Sequence, residues 1–322
     1  FSRTIFLLDE IQALPPRLYT FFVAYLTKFC EKFNSYAIIS TATQPNFELP
    51  KDEQIQNFFN TYQKPASILE HQKYFENDVF NRYQIDYLED NINIEQLAEQ
   101  VLSERTSVLV ILNTIDDSKD LYRELVQTIC EDNLYLLNTH FTPNDRKEKI
   151  AIVKKRLAAN KKTVLISTQL IEAGVDIDFP VLYRDYALIS SIIQSAGRCN
   201  RNGKLDSLGK VRLFNLVKEG KQRANLIYGR GRDKDILTFT KKAWGNTNVY
   251  QEKELLNVQK DFFNKIAHEL HFAKHKQEKF NLEFDFIENI KECAFAKIGK
   301  FQLIDEQEYG EQKRFYVPID DN

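Results

Sequence analysis

Apolar and polar positions follow one another along the chain in blocks that read strand, helix, strand. Residues 4–9 (TIFLLD) form a short apolar run closed by an acid, the pattern of a buried parallel strand with polar function at its carboxyl end. Leu18, Phe22, Tyr25, Leu26 and Phe29 recur at helical spacing over 18–33, and YAIIS at 36–40 reads as the next strand. Pro45, Pro50 and Pro65 then punctuate a polar stretch, which places a domain border between 45 and 90. After it the pattern predicts strands at 108–112, 134–137, 163–167, 181–185 and 211–217, with helices at 115–130, 143–158 and 189–196. Such alternation predicts an α/β fold, a parallel sheet covered by helices on both faces. From 220 to 235 the chain reads as a Gly/Arg-rich loop, then as long polar helices to about 295, and the FQLID and FYVPID runs near its end suggest a hairpin.

With 322 residues, 43% hydrophobic and 28% charged, the chain is large enough for two real cores at roughly 150 residues per domain. Cysteines at 30, 130, 199 and 293 are too far apart for a CxxC metal site or a disulfide framework, so a reduced, cytoplasmic setting is expected. No run reaches the roughly 18 apolar residues of a membrane span, so no membrane partner is expected. The sequence holds no methionine at all, which suggests an excerpt of a longer chain. The net charge of -2 argues against nucleic acid until it is resolved by segment. Residues 139–242 carry 22 Lys and Arg against 10 Asp and Glu, while 71–138 carry 5 against 14. That basic segment is suited to phosphates, although part of it is a solvated lysine face.

Four segments at the carboxyl ends of predicted strands can carry chemistry. Asp9-Glu10-Ile11-Gln12 offers two adjacent carboxylates, one able to hold a hydrated Mg2+ and the other to polarise water, as nucleoside triphosphate hydrolysis requires; a surface turn is the plainer alternative. Ser40-Thr41-Ala42-Thr43 supplies small hydroxyls that can link a site to a neighbouring domain, or form an ordinary turn. Residues 167–178 (STQLIEAGVDID) combine strand-end hydroxyls, a glycine and spaced acids. In Gln194-Ser195-Ala196-Gly197-Arg198-Cys199-Asn200-Arg201 two arginines three apart can point one way off a helical turn, suited to charge developing on a transferred phosphoryl group. Two weaker features are His268, His271 and His275, spaced for one helix face but lacking an HExxH, and the GRGR run at 229–232.

Together, in this order, these segments resemble motifs II, III, V and VI of superfamily 2 nucleic-acid helicases. LLDEIQALPP, IISTATQP, THFTPNDRKEKI, STQLIEAGVDIDFPVLYRD and SIIQSAGRCNRNG are similar to the helicase part of the CRISPR-associated helicase-nuclease of type I interference systems, over residues 1–217. The resemblance implies RecA-like motor domains: the end of a first one with its linker over 1–70, a second over 71–217, and a partial C-terminal region over 218–322. It implies ATP and Mg2+ as cofactors, with Asp9 and Glu10 as the Mg2+ and water-activating acids and Gln12 beside the γ-phosphate. Arg198 and Arg201 would reach the phosphates together with Gln194, Gly174 and Asp176 would face the nucleotide, and Thr41 and Thr43 would couple hydrolysis to movement. Asn113, Thr114 and Thr168 would lie along single-stranded DNA, which the family tracks 3′ to 5′ after recruitment by an RNA-guided targeting complex.

The sequence departs from that family in two ways. Gly-Lys pairs begin at 203, 209, 220 and 299, and none has a glycine five residues earlier or a Ser or Thr after it, so no GxxxxGK[ST] phosphate loop is present. With five histidines and no His-Asp dipeptide, the nuclease signature is missing too. The expected partners therefore include an amino-terminal motor half and a His-Asp nuclease domain, and the chain alone is expected to turn over no ATP. A non-hydrolysing DNA-binding or docking subunit, and the motor of another superfamily 2 helicase, are the alternatives.

Overall fold

The computed structural model describes residues 1–11, 14, 18–41, 45–49, 53–70, 73–74, 76–172, 174–229, 233–244, 247–269, 274–277 and 282–300. The chain divides into two compact units, one of residues 1–48 and 62–270, the other of 49–61 and 271–322.

The larger unit opens with β1 (Ile5–Leu8), α1 (Tyr19–Lys32) and β2 (Tyr36–Ile39). β1 and β2 pair in parallel, Ile5 beside Tyr36 through Leu8 beside Ile39, with α1 as the crossover. Phe6 turns toward α1 and meets Phe29 edge-on, its ring centroid 6.0 Å away. The alternate residues face outward, Ile5 being 69% and Leu7 71% exposed, so the strand expected to be buried on both faces is covered on one. The reason is local: two strands and one helix supply a single apolar layer.

A short helix of the smaller unit, α2 (Glu53–Phe58), precedes β3 (Tyr83–Ile92), α3 (Ile94–Ser103), β4 (Val108–Ile111), α4 (Ile115–Leu125), β5 (Leu134–Leu137), α5 (Pro143–Ala158), β6 (Val164–Ser167), β7 (Val181–Asp185), α6 (Ile189–Ala196) and β8 (Gly209–Lys218). Then come β9 (Lys221–Gln222), α7 (Arg223–Tyr228), α8 (Asp233–Trp244), β10 (Val249–Gln251) and α9 (Leu255–Glu269). The sheet order is β10-β3-β8-β7-β4-β6-β5, with β9 hairpinned onto β8. Every pairing from β3 to β5 is parallel, and only β10 and β9 are antiparallel.

Local chemistry sets the helix starts. Asn93 with Gln96 and Thr142 with Asp145 form reciprocal capping boxes for α3 and α5, and Thr114 caps α4 through the Asp117 amide. The core gathers Leu97, Val101, Val108, Val110, Leu121, Leu125, Ile166, Tyr183 and Phe214, all at most 2% exposed.

Several expectations shift. β3, where no strand was expected, is a full strand whose alternating Tyr83 and Ile85 are buried; its acids masked that period. Residues 223–228, expected as loop, form α7 because Ala224 and Tyr228, four apart, both bury against the sheet region. His268 lies in α9 and His275 in β11 (Lys274–Gln277) of the smaller unit, so these two do not share a helix, and His271 lies outside the described residues. That unit also holds the antiparallel partner β12 (Leu282–Asp285), α10 (Phe286–Lys291) and α11 (Phe295–Ile298). The FQLID and FYVPID runs and residues 230–232 lie outside the described residues. Among those described, no helix is long and apolar enough to cross a membrane.

Candidate functional site

Because β4, β5, β6 and β7 run in parallel, Asn113, Asn138, Thr168 and Asp185 come to one edge of the sheet. A buried polar network ties this edge together. Arg184, in the otherwise apolar run VLYRD, is fully buried and pairs with Glu172 at 3.1 Å. It donates to Ser195 Oγ at 3.0 Å, Ser191 Oγ at 2.8 Å and Asn113 Oδ1 at 2.8 Å. Glu172 accepts from Ser191 and Ser195 as well, at 2.7 and 2.9 Å. Asn113 Nδ2 donates to Asp185 Oδ2 at 2.6 Å and to the Tyr186 carbonyl at 2.8 Å. Burial pushes the Asp185 carboxyl up to about 7, restrained by the Arg184 charge and by hydrogen bonds from the Leu216 amide and Asn113. Sequence reading passed over Arg184 and Glu172 as functional residues; the signal was a charge inside an apolar strand, which must find a partner.

A second feature is a cleft of about 580 Å3 whose walls include Glu10, Gly174, Asp176, Gln194, Arg198 and Arg201. Glu10 follows β1 in a left-handed conformation, φ 56°, with its amide donating to Asp9 Oδ1 at 3.1 Å. Gln194 Nε2 donates to Glu10 Oε2 at 3.4 Å, which brings the first acidic segment against the arginine segment 184 residues later. Gly174 takes φ +71°, opening the backbone of the loop that leads to β7. Arg201 Nε pairs with Asp176 at 2.9 Å on the cleft wall. Arg198 is 8% exposed and donates Nε to the Ile171 carbonyl at 3.1 Å and Nη2 to the Glu172 carbonyl. Its other terminal nitrogen has no hydrogen-bond partner among the described residues. Burial first, then the Arg201 charge, lowers the Arg198 pKa from its ordinary value.

The arginine segment sits elsewhere than expected. α6 ends at Ala196, and the chain turns back to begin β8, so residues 198–201 lie beside the amino ends of β7 and β8. Phe179 bridges Cys199 there, and Asn200 has φ 45°, so the two arginines do not share a helical turn. One lies along the carbonyls of the 171–172 segment and the other on Asp176.

Of the remaining expected residues, Asp9 is exposed at the end of β1 and Thr41 is half-buried after β2. Gln12 and Thr43 lie outside the described residues. Asn113 is engaged in the buried network, and Thr114 Oγ1 bonds the amide and carboxylate of Asp117. Thr168 begins a one-turn helix without a side-chain capping bond. Among the described residues no cluster of three or more His, Cys, Asp or Glu could hold a metal.

Residues 104–204 match the family described as CRISPR-associated nuclease/helicase Cas3, C-terminal. The CRISPR-associated nuclease/helicase Cas3 of Methanothermobacter thermautotrophicus is 30% identical over 154 residues, 47% of this chain and 18% of the relative. That of Haloferax volcanii is 47% identical over 66 residues, 20% of this chain and 7% of the relative. Among solved structures, T. fusca Cas3 with AMPPNP superposes with a TM-score of 0.60 at 14% identity, over 91% of this chain and 37% of that one. A CRISPR RNA-guided surveillance complex in a pre-nicking state contains a chain matching with a TM-score of 0.55 at 15% identity, over 91% and 39%. The fold is thus that of the matched part of T. fusca Cas3, and the chain spans well under half the length of these relatives.

Proposed function

We propose that this chain, whose residues 104–204 match the family of CRISPR-associated nuclease/helicase Cas3 C-terminal regions, is the second half of an ATP-driven motor that moves 3′ to 5′ along single-stranded DNA. In this reading it helps unwind target DNA for degradation in type I CRISPR defence, recruited by an RNA-guided complex and joined to an amino-terminal motor half and a His-Asp nuclease domain. Residues 1–70 end the first motor domain, 71–217 form the second, and 218–322 begin a C-terminal region that lends β9 and β10 to the second domain's sheet. The single observation that carries the reading is the cleft in which Glu10, after β1, faces Gln194, Arg198 and Arg201.

Each side chain then has a role. Glu10 orients the attacking water, Gln12 serves the γ-phosphate, Arg198 and Arg201 offset charge on the transferred phosphoryl group, and Gly174 and Asp176 border the nucleotide. Asp176 holds Arg201 at 2.9 Å until a phosphate competes for it. Asp9, in no cluster of three or more His, Cys, Asp or Glu among the described residues, fits Mg2+ of the kind held by one acid, phosphates and water. When bound, such an ion would supply neutralisation of phosphate charge. Thr168, with Asn113 and Thr114 fixing the edge around it, borders the DNA track, and Thr41 with Thr43 couples the halves.

The phosphate loop is not in this sequence, so the chain alone turns over no ATP. The test is DNA-stimulated ATP hydrolysis by the chain alone and after joining it to an amino-terminal half bearing GxxxxGK[ST]; silence in both sinks the motor reading. The basic excess over 139–242 favours a second reading, a non-hydrolysing DNA-binding or docking module. DNA affinity that falls steeply with salt and ignores ATP in the joined protein decides for the module.

A further inference from the structure

The turn that carries Arg201 is held from two sides. On one, Phe179 and Asp178 grip it: the Asn200 amide donates to the Phe179 carbonyl at 2.9 Å and the Arg201 amide to Asp178 Oδ1 at 2.8 Å. On the other stands Arg82, the residue before β3. Its carbonyl accepts from Asn200 Nδ2 at 2.8 Å and from the Gly209 amide at 2.9 Å, and its Nη1 donates to the Arg201 carbonyl at 2.9 Å. The rest of the guanidinium is committed to one carboxylate. Arg82 Nε and its own amide donate to Glu252 Oε2 at 3.0 and 2.8 Å, and Nη2 meets Oε1. Glu252 follows β10 and is 8% exposed; the hydrogen bond to it is the foremost cause raising the Arg82 pKa. Arg82, Glu252 and Arg201 all border the same cleft.

We infer that Arg82, locked by Glu252, is a positioning residue for Arg201, so that the segment after β10 sets where a phosphate-facing arginine stands. A planar fork is what the arrangement demands: one face grips a carboxylate with two bonds while the remaining nitrogen reaches a main-chain carbonyl. A lysine in its place keeps the charge facing Glu252 and loses the simultaneous reach. Glu252 thereby links the region beyond β8 to the cleft, and displacement of that region, by a partner or by DNA, shifts Arg201 without touching it. The inference rests on the motor reading, in which Arg201 serves phosphoryl transfer.

The test uses Glu252→Gln and Arg82→Lys, in this chain and in the motor joined to its amino-terminal half. In the chain, the Nε–H resonance of Arg201, set by its 2.9 Å contact with Asp176, is followed by NMR alongside the melting midpoint. Both variants are expected to shift that resonance toward free arginine while still melting cooperatively. In the joined motor, kcat for ATP falls roughly 10- to 100-fold, the scale of a misplaced catalytic group, with KM for ATP and DNA affinity unchanged. The double variant is no worse than the more severe single one, because both break the same link. If a variant fails to fold, Glu252→Asp, which keeps the charge but shortens the reach, replaces it. An unmoved Arg201 resonance in folded variants overturns the inference, as does an unchanged kcat. A wild-type joined motor that hydrolyses no ATP overturns the motor reading instead, and the resonance still decides the link.

Discussion

Arg184 and Glu172 show how much one buried pair can organise. The pair fixes Ser191 and Ser195 of α6 against the strand end that holds Asn113, so α6 leads into the arginine segment from a defined place. Arg184→Met would leave Glu172 buried without its cation and cost about 3–5 kcal/mol, read from the shift of a urea unfolding curve; adding Glu172→Gln should recover part of it. Asp185 makes a second prediction. Its carboxyl sits at about 7 when folded, against an ordinary value of roughly 3.9 in the unfolded chain, so between those values the folded state holds a proton that the unfolded state gives up. Unfolding free energy therefore falls as pH rises from about 4 to about 7, and Asp185→Asn flattens that part of the profile measured against the parent chain. The cleft residues were legible because their identities and order are distinctive. The network was not, since a lone Arg in VLYRD says only that a partner exists, and the partner stands twelve positions earlier across a turn.

At the level of elements, the sequence reads best where the expected bounds meet the observed ones, as over 143–158 for α5, and worst where one cue hides another. Acidic residues hid the alternation of β3, and polar composition hid α7. The arginine segment was assigned to a strand end because the preceding motifs sit there; only the chain's return to start β8 moves it to the amino side. Close packing at that return gives a direct check. A Cβ on Gly209 would stand 2.6 Å from Cys199 Sγ and 2.9 Å from Asn200 Cβ, so Gly209→Ala must push the 199–200 turn aside. It is expected to cost about 1–3 kcal/mol and to move Arg201 with the turn, seen as a lowered melting midpoint and a shifted Arg201 resonance. Gly174→Ala meets open space but must hold φ +71°, so its cost is the backbone's alone, about 1–2 kcal/mol in the same unfolding measurement.

For the molecule as a whole, the outward face of β1 and β2 fits the proposed division of labour. Ile5, Leu7, Tyr36 and Ile38 present an apolar surface beside the acids of the cleft, as the end of a larger sheet would. Leu7→Lys is expected to change the unfolding free energy of this chain by no more than about 0.5 kcal/mol, because the position is already 71% exposed, while abolishing assembly with an amino-terminal motor half in a pull-down. The net charge of -2 takes its meaning at this scale as well, since the basic excess lies in the segment that contributes β6, β7, α6 and the cleft arginines. DNA-stimulated ATP hydrolysis, measured on the chain alone and on the chain joined to a half bearing the phosphate loop, tests the proposal most directly. No turnover alone, and turnover after joining that Arg198→Ala or Arg201→Ala abolishes, is the predicted result; hydrolysis by the chain alone, or hydrolysis in the joined protein indifferent to both arginines, would contradict it.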